Sequence, residues 1–288
     1  MAGPARLRQQ AGRHALVDGI PFTLPVTCTP SPALMAAFPI NPERAAALLA
    51  GNEVHPFRLW NRGLLVITVI DYLSTNIGTY IEFSIAIACT HGRRPAPRLL
   101  PALLMRHYGT GQCVIDLPVS TEISVKGGKG IWGMPKHRAN LDFTVGDRVV
   151  SSQYDLDGEL AMRIEIDRPA RTWLPVNVGT ANYCAFRGLL MKSYIYFRGH
   201  LGMGLLGKAR ARLTLGDHPR LAPLRQLEIA PKPLFTAFIP DAIGVLDDHF
   251  ESWFLSFPQP PTGPPEGMES VVDLGLGEEW LPPPVAAR

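Results

Sequence analysis

From Leu64 onward the chain is a succession of short stretches rich in β-branched and aromatic residues: LLVITVIDYL, TYIEFSIAIAC, QCVIDLPV, RANLDFTV, RVVSSQYDL, ELAMRIEID and KSYIYFRG. Bounded by Gly, Asn or Asp, such stretches mark strands, because branched and aromatic side chains pack well on a pleated surface. Several are joined by very short links, VGDR at 145–148 and LDGE at 156–159. A parallel crossover needs about a dozen residues or more, so short links imply antiparallel neighbours. The expected fold is mainly β (α+β), a single domain built as an antiparallel meander or barrel with a few short helices.

Ser31-Pro32 and Asn41-Pro42 offer N-cap starts for helices in PALMAAF and PERAAALLAG, with Gly51 ending the second. Further helical patterns run over 179–191 and through PRLAPLRQLEI. Residues 257–288 contain FPQPPTGPPEG and LPPPVAAR, too rich in Pro and Gly for regular structure, and read as a C-terminal tail behind a folded domain of residues 1–256. There is no internal repeat and no interdomain linker.

Composition narrows the function classes. With 46% hydrophobic and 18% charged residues the chain has the apolar surface to offset the entropy of ordering. Its net charge of +3 is scattered, without the basic run that would track a phosphate backbone, so nucleic acid is not an expected partner. Apolar runs such as Leu64 to Ile70 fall far short of the roughly 20 residues that span a bilayer, so no membrane partner is expected. The stretch MAGPARLRQQAGRHALVDG has basic residues but no apolar segment behind them, and a cytoplasmic location is expected. Cys28, Cys89, Cys113 and Cys184 are widely separated and show no zinc-ligand spacing, so free buried thiols and no metal are expected.

Lysine is scarce. Of 28 basic residues only six are lysines, so any lysine in a constrained setting stands out. The stretch EISVKGGKGIWGMPKHR (122–138) is the most informative in the chain. Gly127, Gly128, Gly130 and Gly133 allow backbone shapes closed to other residues, and Pro135 fixes the dihedral just before Lys136. In extended chain after Pro135, Lys136 and Arg138 share one face and His137 takes the other. A lysine amine is mostly protonated near neutrality; an apolar wall from Ile131, Trp132 and Met134, or charge from His137 and Arg138, would release it as a nucleophile. The bland alternative is a turn carrying a solvated lysine.

The segment GIWGMPKHRANLDF resembles the catalytic-lysine segment of acetoacetate decarboxylases and their superfamily, in which a Gly-x-Pro-Lys element carries the Schiff-base lysine. Lys136 matches it. Tyr80-Ile81-Glu82 is similar to the family's Tyr-x-Glu, whose carboxylate serves in proton transfer, which makes Glu82 the second catalytic candidate and Tyr80 a pocket residue. The likeness extends from about Leu64 through Arg198-Gly-His-Leu-Gly-Met-Gly, with a looser echo in FESWFLSF. It implies a cone-like barrel with flanking strands, a homo-oligomer, a small-molecule keto acid as substrate, no organic cofactor, and a pocket bordered by Gly202, Met203 and Gly204.

Departures from the pattern bear on the substrate. The resemblance places a second lysine directly after the nucleophile, where this chain has His137. It places a carboxylate-holding arginine near Val26-Thr27-Cys28, where no basic residue stands, and a second acidic residue upstream of Tyr80, where the apolar run VITVI stands. The expected reaction is decarboxylation of a short 3-oxo acid. An aldolase or dehydratase using the same iminium, and a non-enzymatic barrel binding a small ligand, are the alternatives.

Other motifs weigh less. Gly202-Met-Gly204-Leu-Leu-Gly207 fits GxGxxG but lacks the βαβ setting of a dinucleotide site, and VKGGKG lacks the spacing of a phosphate loop. His91 and His200 read as solvated histidines, and Glu165 and Asp167 as a solvated strand face.

Overall fold

The structure is a computed structural model that describes residues 12–49 and 51–256. The proline-rich segment 257–288 lies outside the described residues. The chain enters through the hairpin β1 (Arg13–Val17) and β2 (Ile20–Leu24), then β3 (Val26–Thr27) and β4 (Ser31–Ile40). Next come β5 (Val54–Pro56), β6 (Gly63–Tyr72), β7 (Tyr80–His91) and β8 (Gly111–Val119). A middle group holds β9 (Lys136–Arg138), β10 (Asn140–Leu141), β11 (Thr144–Val145), β12 (Val149–Leu156) and β13 (Glu159–Asp167). The last are β14 (Leu174–Phe186), β15 (Leu189–Leu205), β16 (Ala211–Leu215) and β17 (Phe235–Phe254).

Seven strands close a barrel in the order β7-β6-β4-β17-β15-β14-β8, with β8 returning to β7. Closure removes the exposed edges that an open sheet would present. A ring with an odd number of strands cannot alternate direction all the way round, so one seam must be parallel. It falls between β8 and β14, where Gln112 faces Asn182 and Cys113 faces Tyr183; every other pairing in the ring is antiparallel.

A smaller sheet of β10, β11, β12, β13 and β16 packs on the outside of this barrel. Side chains alternate along β6 and β7, so Leu65, Ile67, Phe83 and Ile85 turn outward onto Val150, Tyr154, Met162 and Ile164. The rings of Phe83 and Tyr154 meet there at 5.2 Å. The intervening residues Thr68, Ile70, Glu82 and Ser84 turn into the barrel. Both faces of β6 are therefore covered, which is why LLVITVI is apolar on both parities instead of alternating.

Helices differ from the sequence reading in four places, one being that PERAAALLAG is helical only over Pro42–Ala46 and the helix stops short of Gly51. SPALMAAFPI is β4, not a helix: it lies between β6 and β17, and ladder pairing on both sides overrides the helical preference of Ala, Leu and Met. Residues 179–191 belong to the β14–β15 hairpin, which turns at Arg187 and Gly188 with φ of 51° and 75°. Conversely, the glycine-rich stretch before Lys136 is helical. The helices are α1 (Pro42–Ala46), α2 (Leu100–Leu103), α3 (Glu122–Trp132) and α4 (Ala222–Arg225). As expected, Asn41 caps α1, its side-chain oxygen accepting from the backbone N–H of Glu43 and Arg44 at 3.0 and 3.1 Å.

Candidate active site

Helix α3 aims the lysine. Three glycines within it each cost about 1 kcal/mol of helix propensity relative to alanine, and close packing explains their presence. A Cβ at Gly127 would stand 2.7 Å from the Phe22 ring, and one at Gly130 would stand 2.5 Å from Val17, so the entry hairpin can lie directly on the helix. Gly133 then ends α3 in the left-handed region at φ 66°, and Met134-Pro135 turns the chain into β9.

Register decides which side chain of β9 enters the barrel. β9 runs parallel to β8 with Leu117 opposite Lys136 and Pro118 opposite His137. Residues opposite one another share a face, so Lys136 joins Leu117 inside and His137 turns out. β8 reaches this parity through a bulge. Ile85 pairs with Asp116 but Ala86 pairs with Val114, so Ile115 is an extra residue and the inward set changes from Gln112 and Val114 to Leu117 and Val119.

Inside the barrel Lys136 is 3% exposed, and its Nζ lies 2.7 Å from Glu82 Oε2. Nζ also donates to Ser124 Oγ of α3 at 2.9 Å and stands 5.3 Å from the centre of the Tyr80 ring. Tyr80 packs on its cross-strand partner Tyr72, ring centres 4.6 Å apart. Burial pushes both phenols well above their ordinary range, and the Glu82 charge pushes them further, so both remain protonated. Cys28 borders the same cavity and its Sγ accepts from the Gly244 backbone N–H at 3.0 Å. Burial pushes this thiol up, so it is not a thiolate competing with the amine.

Of the residues singled out in the sequence, Lys136, Glu82, Tyr80 and Met134 come together around this cavity. Trp132 is buried in the adjoining core beside Met134, its indole N–H donating to the Asp247 carbonyl at 2.8 Å, and it does not line the cavity. His137 and Arg138 are not at the lysine either. Strand alternation sends His137 to the outer face, where its Nε2 is 2.9 Å from Asp116 Oδ1; Arg138 ends β9 exposed. The charged neighbour of Lys136 is thus a carboxylate instead of a cation. Gly202, Met203 and Gly204 also lie away from the cavity, because β15 changes register between Arg198 and Gly202 and its cavity-facing residues, Ile195 and Phe197, precede that shift. Gly202 instead packs on the backbone of Arg171, 2.6 Å from where a Cβ would stand.

Val26, Thr27 and Cys28 do border the cavity, and the run VITVI contributes Thr68, with Ile70 facing Glu82 across the ladder. Lys136 is the one cationic side chain among the described residues of the lining. Sequence reasoning missed Ser124, Ser84, Thr68, Gln112 and Asn182. Thr68 left a signal, being the single polar residue in an apolar run, and Ser84 follows Glu82 at strand spacing. Nothing local pointed to Gln112 or Asn182, which meet only across the parallel seam.

Elsewhere, His91 packs between the rings of Tyr183 and Trp253 instead of standing in solvent, and His200 Nδ1 meets Asp241 Oδ2 at 2.6 Å. Among the described residues no three His, Cys, Asp or Glu side chains converge as metal ligands. No helix among them is long and apolar enough to cross a membrane.

A family model described as Acetoacetate decarboxylase (ADC) matches residues 10–178. Among solved structures, the acetoacetate decarboxylase of Legionella pneumophila subsp. pneumophila str. Philadelphia 1 is similar at 14% identity and a TM-score of 0.55, over 77% of this chain and 85% of that one. A second acetoacetate decarboxylase structure is similar at 12% identity and TM-score 0.56, over 80% and 90% of the two chains. The enduracididine biosynthesis enzyme MppR, complexed with the condensation product of pyruvate and imidazole 4-carboxaldehyde, is similar at 13% identity and TM-score 0.52, over 79% and 88%. At such identities the likeness is one of fold. No curated protein matches the sequence.

Proposed function

The chain belongs to the acetoacetate decarboxylase family, and from that premise we propose that it is a Schiff-base lyase in which Lys136 attacks the ketone of a short 3-oxo acid while Glu82 moves the protons. The observation that carries this reading is the 2.7 Å approach of Nζ to a carboxylate oxygen in a largely apolar cavity inside the barrel. Attack requires the neutral amine. Glu82 can take the ammonium proton across that contact and return it to the carbinolamine hydroxyl as water leaves.

The resulting iminium lies two bonds from the substrate carboxylate and accepts the electron pair of the breaking carbon–carbon bond. Carbon dioxide departs, a neutral enamine remains, and charge never accumulates on carbon. Protonation of the enamine carbon and hydrolysis of the imine release the ketone and regenerate the amine. Ser124 holds Nζ in place, and the protonated phenols of Tyr72 and Tyr80 keep the wall uncharged.

A second reading is favoured by the lining itself, which offers a carboxylate no cation beyond Lys136 among the described residues. In it the same iminium serves an aldol or dehydration step on a keto acid, and the relative bound to a pyruvate condensation product is compatible with such chemistry on this fold.

Borohydride treatment in the presence of acetoacetate and a panel of 2-oxo and 3-oxo acids tests both readings. The expected result is a reduced adduct mapped to Lys136 and absent from Lys136→Ala. Release of acetone and carbon dioxide selects the first reading, and a condensed or dehydrated product selects the second. Failure of every acid in the panel to leave an adduct ends the Schiff-base proposal.

A further inference from the structure

The cavity has a polar floor that neither the lysine nor its carboxylate uses. At the parallel seam Gln112 Nε2 donates to Asn182 Oδ1 at 2.7 Å, and both residues face the barrel interior. Asn182 is 6% exposed, yet this is its one side-chain hydrogen bond among the described residues. Turning both amides over leaves the same inventory: one NH₂ and one carbonyl oxygen of this cavity-lining pair remain without a hydrogen bond among the described residues. Thr68, also lining the cavity and 8% exposed, has its Oγ1 buried with no hydrogen-bond partner among the described residues. Ser84, its cross-strand neighbour, adds a second hydroxyl.

Buried polar atoms are ordinarily paired, because an unpaired one keeps its full desolvation penalty. Thr68 Oγ1 is such an atom, and together with the amides of Gln112 and Asn182 and the hydroxyl of Ser84 on the same cavity wall it describes the ligand. A carboxylate only accepts hydrogen bonds; it would leave the free amide carbonyl unmatched, and it would be buried without a cation of its own. A methyl group would satisfy none of these atoms. A hydroxyl or a primary amide both donates and accepts, and it carries no charge.

We propose that Gln112, Asn182 and Thr68 form a specificity subsite for a neutral hydroxyl or amide on the non-reacting end of the substrate, so that the cavity takes a hydroxylated or amide-bearing carbonyl compound in preference to one ending in a bare methyl. This rests on Lys136 forming the imine, and it extends that reading from the reacting carbonyl to the far end of the molecule. These residues are positioning residues. They touch the substrate away from the bonds that change.

The test compares two 3-oxo acids of equal length, one ending in methyl and one in a hydroxyl, by the rate of borohydride-trapped adduct on Lys136 at subsaturating concentration. Wild type is expected to trap the hydroxylated acid at least about tenfold faster, the range of one good hydrogen bond. Thr68→Val and Asn182→Leu are expected to shrink that ratio toward one, the loss of trapping rate being larger for the hydroxylated acid than for the methyl-ended one. Thr68→Val is close to isosteric and removes an unpaired hydroxyl, so its melting temperature should hold or rise; this separates loss of recognition from loss of fold. Equal trapping of the two acids by wild type, or a ratio unmoved in both variants, overturns the subsite while leaving the lysine chemistry intact. Absence of any adduct in wild type removes the Schiff base and the subsite with it.

Discussion

Gly128 of α3 lies so close to the stem of Lys136 that a Cβ at that position would stand 2.3 Å from its Cδ and 2.7 Å from its Cε. The methylene chain of the lysine runs in the groove this glycine leaves, and that groove fixes where Nζ meets Glu82. Gly128→Ala is therefore expected to separate stability from activity. Alanine restores about 1 kcal/mol of helix propensity, while the flexible lysine is the group that yields to the new methyl. Turnover should fall on the order of a hundredfold, the scale of a misplaced reacting atom, with a melting temperature at or above wild type. Parallel losses of activity and melting temperature would reduce the glycine to a packing residue.

Glu82→Gln preserves the shape of the contact with Nζ but removes the ability to accept a proton. If the carboxylate carries protons in imine formation and hydrolysis, kcat should drop by roughly 10²- to 10⁴-fold with KM little changed. A rise in KM at constant kcat would make Glu82 a binding group, and the proton route would have to run elsewhere.

Asp116 ties the outer face of the lysine strand to the rest of the molecule. Its carboxylate meets His137 Nε2 at 2.9 Å and accepts from Arg220 Nε and Nη2 at 2.9 and 2.8 Å, with Tyr154 Oη at 3.4 Å. Burial alone would raise this carboxyl, but the hydrogen bonds and charge of His137 and Arg220 hold it below its ordinary value of 3.8. A folded-state value below the unfolded one means that the unfolded chain takes up the proton first. The stabilisation is complete above the ordinary carboxylate range and is lost as pH falls through it toward the folded value. Asp116→Asn should cost on the order of 2 kcal/mol near neutrality, a figure kept modest because the Arg220 head is partly open to water. The difference from wild type should narrow as urea melts are moved from about pH 7 to about pH 3. A constant gap across that range would mean that the ionised carboxylate contributes nothing beyond its shape.

The barrel could be read from the sequence because β6, β7, β8, β12 and β13 are apolar or alternating runs with clear turn residues between them. Lys136 stood out locally because four glycines and Pro135 precede it, whereas its catalytic reading, and Glu82 altogether, came from the resemblance of Gly-Met-Pro-Lys and Tyr80-Ile81-Glu82 to the family's segments. What stayed hidden depended on partners distant in sequence. SPALMAAFPI has the composition of a helix and becomes a strand only between β6 and β17. The glycines of α3 look like a loop until Phe22, Val17 and the lysine stem are laid against them. Strand alternation already sets His137 on the face opposite Lys136, but that the lysine is the one facing inward depends on an extra residue at Ile115, which no local pattern announces. Gln112 and Asn182 meet only because an odd-stranded ring demands a parallel seam.

Thr27 offers a direct probe of substrate charge. It borders the cavity within Val26-Thr27-Cys28, the stretch near which resemblance to the family expects an arginine, and its backbone N–H is held by Asn76 Oδ1 at 3.1 Å, a contact that does not depend on its side chain. If the natural substrate is a 3-oxo acid bound without a second cation, Thr27→Arg should lower KM for acetoacetate about tenfold or more through a charge-assisted hydrogen bond. Its effect on kcat should be flat or adverse, because holding the carboxylate stabilises the ground state, whereas loss of carbon dioxide disperses that charge. For a substrate that is neutral beyond its carbonyl the same arginine finds no partner but Glu82, and turnover should fall with no gain in KM. Initial rates with acetoacetate and with a neutral hydroxy ketone, measured on wild type and Thr27→Arg together, therefore report whether the group that enters with the carbonyl carries a charge.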